Sequence, residues 1–339
     1  MVEHELLDGS ELISLDRGAD LHRILVDCGL LAHSDEIHGV EVAGEGNMNC
    51  TLRVRVAGGS FVVKQSRPWV EKYPSIPAPM NRALFEIQFY ETVARSGAVV
   101  SKMPRLIGFD RERHLLLLDD LGAGRDGTFL YSRSDLAGLK EQLPSLAQWL
   151  ADLHSISVDP DFENFTNREL RKLNHAHIFE IPFFHPPAID LDAVTPGLDG
   201  VAKEYSVHAA VVSRARQLGE EYLADGETLL HGDFFPGSWL FTSEGLFVID
   251  PEFCFCGRPE FDLAVCSAHL RMIGLEDESI DDLLANYEQK SEKLDRRLVN
   301  AWAGIEIMRR ILGVAQLGLD RSLDEKRELL SWAEQAVLA

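Results

Sequence analysis

The stretch His231–Ser238 (HGDFFPGS), followed by Ile249–Glu252 (IDPE), decides how this chain is interpreted. In each stretch an aspartate, Asp233 or Asp250, stands at the edge of a short apolar run that has the pattern of a β-strand. Phosphoryl transfer needs one carboxylate that orients the acceptor hydroxyl and others that hold Mg²⁺. Aspartate is also common in ordinary turns, but two such positions on neighbouring loops of a small hairpin match this division of roles. The two motifs therefore predict a phosphoryl-transfer site.

A glycine-containing turn, Gly44–Asn49, lies upstream between two strand-like segments, His38–Val42 and Thr51–Val56. This context differs from the Rossmann and Walker loops, both of which lead into a helix. It is typical of the glycine hairpin that covers nucleotide phosphates in kinases, although any β-turn favours Gly and Asn. The predicted phosphate-binding positions in this turn are Gly44, Gly46 and Asn47.

Lys64 ends the next strand-like segment, Phe61–Lys64, and a predicted helix over Asn81–Arg95 follows. A lysine at this place can reach nucleotide phosphates and pair with a glutamate on that helix, although lysines at strand ends are commonly solvated. Glu86 is the better candidate for this pair because it lies among apolar residues, and Glu91 is the alternative. The turn, the lysine, the helix glutamate and the two acidic motifs occur in the order that a kinase requires.

The distribution of elements predicts an α+β protein with the two-lobed, protein-kinase-like fold. Residues 1–121 would form a nucleotide-binding lobe with an antiparallel sheet and a helix, and residues 122–339 a mainly helical catalytic and substrate lobe. The lobes would join near Asp119–Gly122, after a strand at His114–Leu118. Beyond this point the expected helices, the first interrupted near Pro144, cover Leu136–His154, Ala209–Leu223 and parts of Leu283–Leu338. The expected strands there are Thr228–Leu230, Trp239–Phe241 and Leu246–Ile249.

Composition and charge limit the classes of partner. The chain has 339 residues, 45% hydrophobic and 26% charged, which is a globular composition. Its formal net charge of −22 disfavours nucleic-acid and anionic-membrane partners, because both attract clustered Lys and Arg. The acidic start is unlike a signal peptide, and no apolar stretch approaches the roughly 20 residues of a membrane span. Five scattered cysteines are typical of free thiols in a reducing compartment. We therefore expect a cytoplasmic protein with a small-molecule substrate, and a homodimer is left open.

These motifs resemble the aminoglycoside phosphotransferase and choline kinase superfamily, and within it the S-methyl-5-thioribose kinase family. The wider resemblance rests on HGD and the downstream ID-x-E. The narrower one covers nearly the whole chain: Gly44–Asn49 is similar to that family's G-D-G-N-x-N loop, and Met308–Ile311 (MRRI) resembles its twin-arginine helix. Ser238 also agrees with a serine of that family, where most kinases carry asparagine. Phe234–Pro236 depart from its Leu-His-Thr and are expected to add apolar surface beside the substrate.

The resemblance implies roles for the matched residues, with ATP and Mg²⁺ as cofactors. Asp233 would be the catalytic carboxylate. Asp250 and Glu252 would be the Mg²⁺ ligands. Lys64, paired with Glu86, would bind the nucleotide phosphates.

The resemblance also implies where adenine and the substrate bind. Leu118 would lie at the hinge, where the backbone of Asp119 and Leu121 would contact adenine. Arg309 and Arg310 would lie near the substrate or the transferring phosphate. Adjacent residues point about 100° apart around a helix, so both can approach one ligand only from its edge.

Three functions stay open at this point. The leading one is an ATP-dependent kinase of a sugar-like alcohol such as methylthioribose or a related pentose. An aminoglycoside or amino-alcohol phosphotransferase would suit the acidic surface, but Arg309 and Arg310 would repel a cationic substrate. A non-catalytic nucleotide-binding module is disfavoured because Lys64, Asp233 and both acidic residues of the IDPE motif are present together.

Overall fold

The computed structural model describes residues 12–16, 18–44, 48–133, 135–158, 165–291 and 293–339. Backbone contacts divide the chain into two compact units. The first comprises Met1–Arg125 and Thr242–Phe253, and the second comprises Asp126–Phe241 and Cys254–Ala339. The first unit therefore includes the segment that carries the IDPE motif. The predicted boundary after residue 121 places that segment in the second lobe.

The first unit is built on an antiparallel sheet. Its early strands are β1 (Ile37–Val42), β2 (Asn49–Val56), β3 (Gly59–Ser66), β4 (Trp69–Val70), β5 (Tyr73–Pro77), β6 (Leu106–Asp110) and β7 (Leu115–Asp119). Five of them form one sheet in the order β1-β2-β3-β7-β6, and β4 pairs with β5. Thr51 and Leu116 lie opposite Lys64 on the two neighbouring strands, so Lys64 is on the central strand. The predicted antiparallel sheet is confirmed.

Helices cover both faces of this sheet. They are α1 (Gly18–Asp27), α2 (Arg82–Val93) and the short α3 (Gly97–Val100). On one face, Leu21, Ile24 and Leu25 of α1 join a core with Val54 and Val63 of the sheet. Because side chains alternate along a strand, Lys64 points to the opposite face, which α2 covers. This alternation places Lys64 beneath the helix that carries the two candidate glutamates.

The second unit is mainly helical. Before its strands it contains α4 (Leu136–His154), α5 (Arg168–His175), α6 (Leu191–Val194), α7 (Leu198–Ser206) and α8 (Ala209–Leu223). After them come α9 (Glu260–Ile273), α10 (Asp277–Glu288), α11 (Arg296–Leu312) and α12 (Leu323–Leu338). Buried α11 packs between α9 and α12, and it carries both predicted substrate arginines.

Short strands complete the chain. They are β8 (Gly124–Asp126), β9 (Thr228–Leu230), β10 (Trp239–Thr242), β11 (Gly245–Val248) and β12 (Phe255–Gly257). Within the second unit, β9 pairs antiparallel with β12. The motif HGD follows β9, and the acidic motif IDPE follows β11, as the sequence predicts.

Three local expectations need correction or addition. The predicted interruption of α4 at Pro144 is wrong: the helix continues, and the proline lies on its exposed face, where the carbonyl it leaves without a partner can meet water. The helical pattern over Leu283–Leu338 is divided, because Asp295 caps the start of α11 and Gly313 ends it. The β4–β5 pair was not predicted, since its proline-rich sequence lacks strand periodicity.

All five cysteines are free thiols, as expected. Within the described ranges, no helix combines the length and the apolar character that crossing a membrane would require.

Candidate active site

Lys64 is buried on β3, and two carboxylates of the first unit hold its ammonium group. Lys64 Nζ lies 2.8 Å from Glu86 Oε2 and 2.9 Å from Asp250 Oδ1. Glu91, the alternative helix partner, instead pairs with Arg111 at 2.7 Å near the surface. Glu86 is therefore the helix glutamate that pairs with Lys64.

Burial and charge act in opposite directions on this pair. Burial opposes the charged form of Lys64, but attraction to Asp250 and then Glu86 outweighs it and holds the Lys64 pKa well above its usual value. Burial raises the pKa of Glu86 to about 7 even with Lys64 beside it. The carboxylates around Lys64 together keep its ammonium group protonated. Lys64 thus offers a fixed positive charge at neutral pH.

Asp250, two residues after the end of β11, adopts an uncommon backbone conformation. Its φ of 61° lies in the left-handed region, which aspartate tolerates better than most residues. The Asp250 side chain is 47% exposed although one oxygen contacts Lys64. Of the two predicted metal ligands, Asp250 is the accessible one.

Glu252 is buried and is held by two side chains, Asn49 and Arg82, that were not predicted as site residues. Its Oε2 accepts a hydrogen bond of 2.8 Å from Asn49 Nδ2 and lies 3.3 Å from Arg82 Nε. Arg82 is one helical turn before Glu86, on the same face of α2. That spacing is the sequence signal that could have identified Arg82.

The donor set fits Mg²⁺ chemistry. Across the part of the chain that the structure describes, no three His, Cys, Asp or Glu side chains gather into a protein-only metal cage. Mg²⁺ in kinase sites usually binds one or two carboxylates together with nucleotide phosphates and water. Asp250 and Glu252 supply oxygen donors of that kind within a single short turn, Pro251–Phe253 and the residue before it.

The predicted phosphate turn connects β1 to β2. Gly44 has a φ of +83°, which favours glycine, and it lies just beyond the end of β1. Gly46 and Asn47 lie outside the described residues. The context of a turn between two antiparallel strands is as predicted, and the phosphate-binding role remains a prediction.

The predicted hinge follows β7. Leu118 is buried, Leu121 is half-buried, and the Asp119 amide donates a 2.9 Å hydrogen bond to the Arg105 carbonyl. The Asp119 side chain also pairs with Arg105. The Asp119 amide is therefore engaged, and the backbone contact to adenine remains a prediction.

In the second unit, a buried aspartate holds the backbone before Asp233. Asp262, in the first turn of α9, accepts hydrogen bonds from the amides of His231 at 2.7 Å and Gly232 at 2.9 Å. Gly232 has a φ of +83°, a conformation that favours glycine. On the other side, the Ser238 hydroxyl donates to the Asp233 carbonyl at 2.8 Å. The Asp233 backbone is therefore held from both directions.

The two phenylalanines and the proline that follow Asp233 differ in their surroundings. Phe234 is fully buried and stacks on Trp149 with ring centroids 5.4 Å apart. Pro236 is also buried, and only Phe235 is partly exposed, with its ring 4.9 Å from the Arg310 guanidinium carbon. The expectation that Phe234–Pro236 all add surface beside the substrate is wrong, because two of the three residues belong to the core.

The twin arginines on α11 share one buried carboxylate and then diverge. Glu306 accepts hydrogen bonds from Arg310 Nε at 2.6 Å and from Arg309 Nη1 at 3.0 Å. Arg310 Nη2 reaches to 3.6 Å from Asp233 Oδ1. Arg309 Nη2 instead donates to Asn174 Oδ1 at 3.3 Å. Only Arg310 is therefore directed at the predicted catalytic carboxylate.

A neutral histidine supports Glu306 from behind. His269 Nε2 lies 3.1 Å from Glu306 Oε1, and the Tyr131 hydroxyl bonds to His269 Nδ1. Burial lowers the pKa of His269 to about 4, so it donates to Glu306 in its neutral form. Burial opposes the Glu306 charge, but the two arginines outweigh it and hold the Glu306 pKa well below its usual value. Glu306 was not predicted as a site residue, although its spacing of three and four residues before the arginines marks one helix face.

The comparisons with known proteins agree with this arrangement. A family model described as a phosphotransferase enzyme family matches residues 39–302. The methylthioribose kinase of Exiguobacterium sibiricum is 27% identical over 259 residues, covering 72% of this chain and 65% of that protein, just under two thirds of its length. The methylthioribose kinase of Geobacillus kaustophilus is 24% identical over 339 residues, covering 85% of this chain and 82% of that protein.

A solved structure of similar fold is the choline kinase from Streptococcus pneumoniae. It is 16% identical, with a TM-score of 0.55, and the match covers 96% of this chain and 99% of that one. At this identity the likeness concerns the fold alone. It confirms the α+β, protein-kinase-like fold that the sequence predicts.

Proposed function

We propose that this chain, which belongs to the phosphotransferase enzyme family, phosphorylates a hydroxyl group of a sugar-like small molecule with ATP. Methylthioribose or a related pentose is the substrate we favour. The methylthioribose kinases among its relatives support this choice, although their alignments cover only part of their length. The free thiols suit a reducing cytoplasm, which we keep as part of the proposal.

The observation that carries the proposal is the guanidinium group beside the predicted catalytic carboxylate. Arg310 Nη2 lies 3.6 Å from Asp233 Oδ1, and Glu306 holds the same side chain through Nε. A fixed guanidinium binds hydroxyl and phosphate oxygens well and repels ammonium groups. It therefore favours a neutral or anionic acceptor over an aminoglycoside or an amino alcohol.

The chain offers candidate residues both for the acceptor hydroxyl and for the nucleotide with its metal ion. Asp233 would orient the acceptor hydroxyl and accept its proton as the oxygen bonds to the γ-phosphorus and ADP leaves. Lys64 would hold the nucleotide phosphates, and Asp250 with Glu252 would hold Mg²⁺. When bound, Mg²⁺ neutralises charge on the phosphate oxygens. Arg310 would stabilise the charge that develops on the transferring group.

The nucleotide base would bind at the end of β7. There Leu118 would line the adenine site, and the backbone of Asp119 and Leu121 would meet the base edge. Arg309, which bonds to Asn174, would contact the substrate farther from the transferring phosphate.

The test is ADP release by the purified protein with MgATP and one acceptor at a time: methylthioribose, ribose, choline or kanamycin. We expect methylthioribose or another neutral sugar to be turned over, and Asp233→Asn to remove that activity. Turnover of choline or kanamycin alone would replace the proposal with the amino-alcohol or aminoglycoside alternative. Nucleotide binding without turnover of any acceptor would favour a non-catalytic module.

A further inference from the structure

A buried arginine joins two segments of the first unit that carry predicted nucleotide-binding residues. Arg82, the first residue of α2, is fully buried. Its Nη2 donates a 2.8 Å hydrogen bond to the carbonyl of Met48, at the end of the β1–β2 turn. Its Nε donates to Asn49 Oδ1 at 3.0 Å and lies 3.3 Å from Glu252 Oε2. One guanidinium group thus contacts both the predicted phosphate turn and the IDPE motif.

Asn49 completes this arrangement. Its Oδ1 accepts from Arg82 Nε and from the Ser66 hydroxyl at 3.0 Å, while its Nδ2 donates to Glu252 Oε2 at 2.8 Å. Reversing the amide would place its oxygen against the Glu252 carboxylate and its NH₂ group against the Arg82 donor. The contacts therefore determine the orientation of the amide. Asn49 holds the Glu252 carboxylate in a fixed direction relative to Arg82.

The same guanidinium is bonded on its remaining side to backbone. Arg82 Nη1 donates to the carbonyls of Arg67 at 2.9 Å and Pro79 at 2.7 Å. A buried ion pair of this kind is weak evidence for stability, because well-packed apolar residues often stabilise a protein as much or more. The geometry of the contacts, however, fixes the orientation of the Glu252 carboxylate, which an apolar residue in place of Arg82 could not do.

We infer that Arg82 and Asn49 are positioning residues that fix the Glu252 carboxylate relative to the end of the phosphate turn, so that both are presented together to a metal-bound nucleotide. This inference rests on the proposed function. Groups that hydrogen-bond to a ligating carboxylate orient it, and their loss typically weakens metal binding by 10- to 100-fold. Glu86, one turn after Arg82 on α2, holds Lys64 in the same way, so one helix face would position both the metal motif and the phosphate-binding lysine.

The test measures binding of ADP to the full chain by calorimetry, with and without Mg²⁺. The ratio of the two dissociation constants gives the contribution of the metal, a quantity separate from catalytic activity. Asn49→Ala removes the amide while Arg82 and Glu252 keep each other, so no buried charge is left alone. We expect it to reduce the Mg²⁺-dependent gain by about tenfold, with little change in the affinity for ADP alone.

Asn81→Ala is the matched control. Asn81 directly precedes Arg82, and its side chain makes no capping hydrogen bond to α2. The control should keep the wild-type ratio. Arg82→Lys, which preserves the charge but loses the planar fork of donors, should reduce the ratio as Asn49→Ala does. If Arg82→Lys does not fold, Asn49→Ala alone decides.

An unchanged ratio in Asn49→Ala would overturn the inference, as would an equal loss in Asn81→Ala. A melting temperature that falls in Asn49→Ala while its ratio stays unchanged would also overturn it, because the amide would then act on stability alone. Failure of the wild-type chain to bind ADP, or to respond to Mg²⁺, would instead refute the proposed function on which the inference stands.

Discussion

Arg310 and Asp233 form an ion pair at 3.6 Å, between Nη2 and Oδ1. Arg310 is not free to move closer, because Glu306 binds its Nε at 2.6 Å and is itself held by neutral His269. The guanidinium charge of Arg310 is therefore kept beside Asp233, the predicted catalytic carboxylate, while Glu306 remains the main partner of Arg310.

Glu306→Gln should lower kcat by about ten- to a hundredfold with little change in the KM for ATP. Without the Glu306 charge, Arg310 is drawn to Asp233, and a hydrogen bond to a charged group is worth about 1.5–3 kcal/mol. Steady-state kinetics on the preferred acceptor checks this. Glu288→Gln is the control, since Glu288 pairs with Arg296 on the more exposed surface of the same unit. A wild-type kcat in Glu306→Gln would show that Arg310 is positioned without it.

Lys64→Met should lower kcat by at least about a hundredfold, the usual effect of losing a group that stabilises transition-state charge. It should also destabilise the fold, because removing one partner of a buried pair costs about 3–5 kcal/mol. Adding Glu86→Gln removes the carboxyl left behind, so the double variant should regain stability in urea unfolding. Its kcat should stay low. A double variant that regains turnover would assign Lys64 a structural role only.

Asp250→Asn should abolish Mg²⁺-dependent turnover while the fold stays intact. Asparagine tolerates the left-handed φ of 61°, whereas Asp250→Ala adds backbone strain to the same loss of charge. Both variants lack the charge that holds the metal and neutralises phosphate. Turnover at several Mg²⁺ concentrations, with circular dichroism for the fold, provides the test. Near-normal turnover in Asp250→Asn would refute the metal assignment.

His269 should make stability depend on pH. Burial keeps His269 neutral in the folded chain, with a pKa of about 4, whereas the unfolded chain protonates it below its usual 6.5. Lowering the pH from about 7.5 to about 5 therefore favours the unfolded state, by about 2 kcal/mol from this group at 1.36 kcal/mol per pKa unit.

His269→Gln should remove this contribution, because the amide can still donate to Glu306 and accept from Tyr131 without titrating. Urea unfolding of both proteins at the two pH values measures the difference. Exposed His33→Gln should retain the wild-type dependence. Equal pH dependence in wild type and His269→Gln would contradict the buried neutral state.

The elements that sequence predicts well are those with a repeating pattern. The alternation of Leu52, Val54 and Val56 predicts β2, and the apolar surroundings of Glu86 predict its pairing with Lys64. The β4–β5 pair escapes prediction because its strands are too short and proline-rich to show a period. The continuous α4 also escapes it, because solvent exposure decides the cost of Pro144 and is not visible in the local sequence.

The same distinction applies to the candidate site: residues in short motifs can be predicted, whereas residues that act through distant partners cannot. Short sequence motifs surround Asp233, Asp250 and Lys64, so the local sequence alone predicts their chemical roles. Asn49 and Glu252 are 203 residues apart in sequence, and only the folded chain brings them together. Asp262 likewise acts through backbone partners far away in the sequence, so nothing in its own surroundings marks it.

The most direct test of the central claim compares kcat/KM for methylthioribose with kcat/KM for kanamycin, in the wild type and in Arg310→Glu. We predict that the wild type prefers methylthioribose. Arg310→Glu should lose at least about a hundredfold on it, through lost attraction and added repulsion at the transferring phosphate. Efficient phosphorylation of kanamycin by the wild type, with no activity on any neutral sugar, would contradict the account.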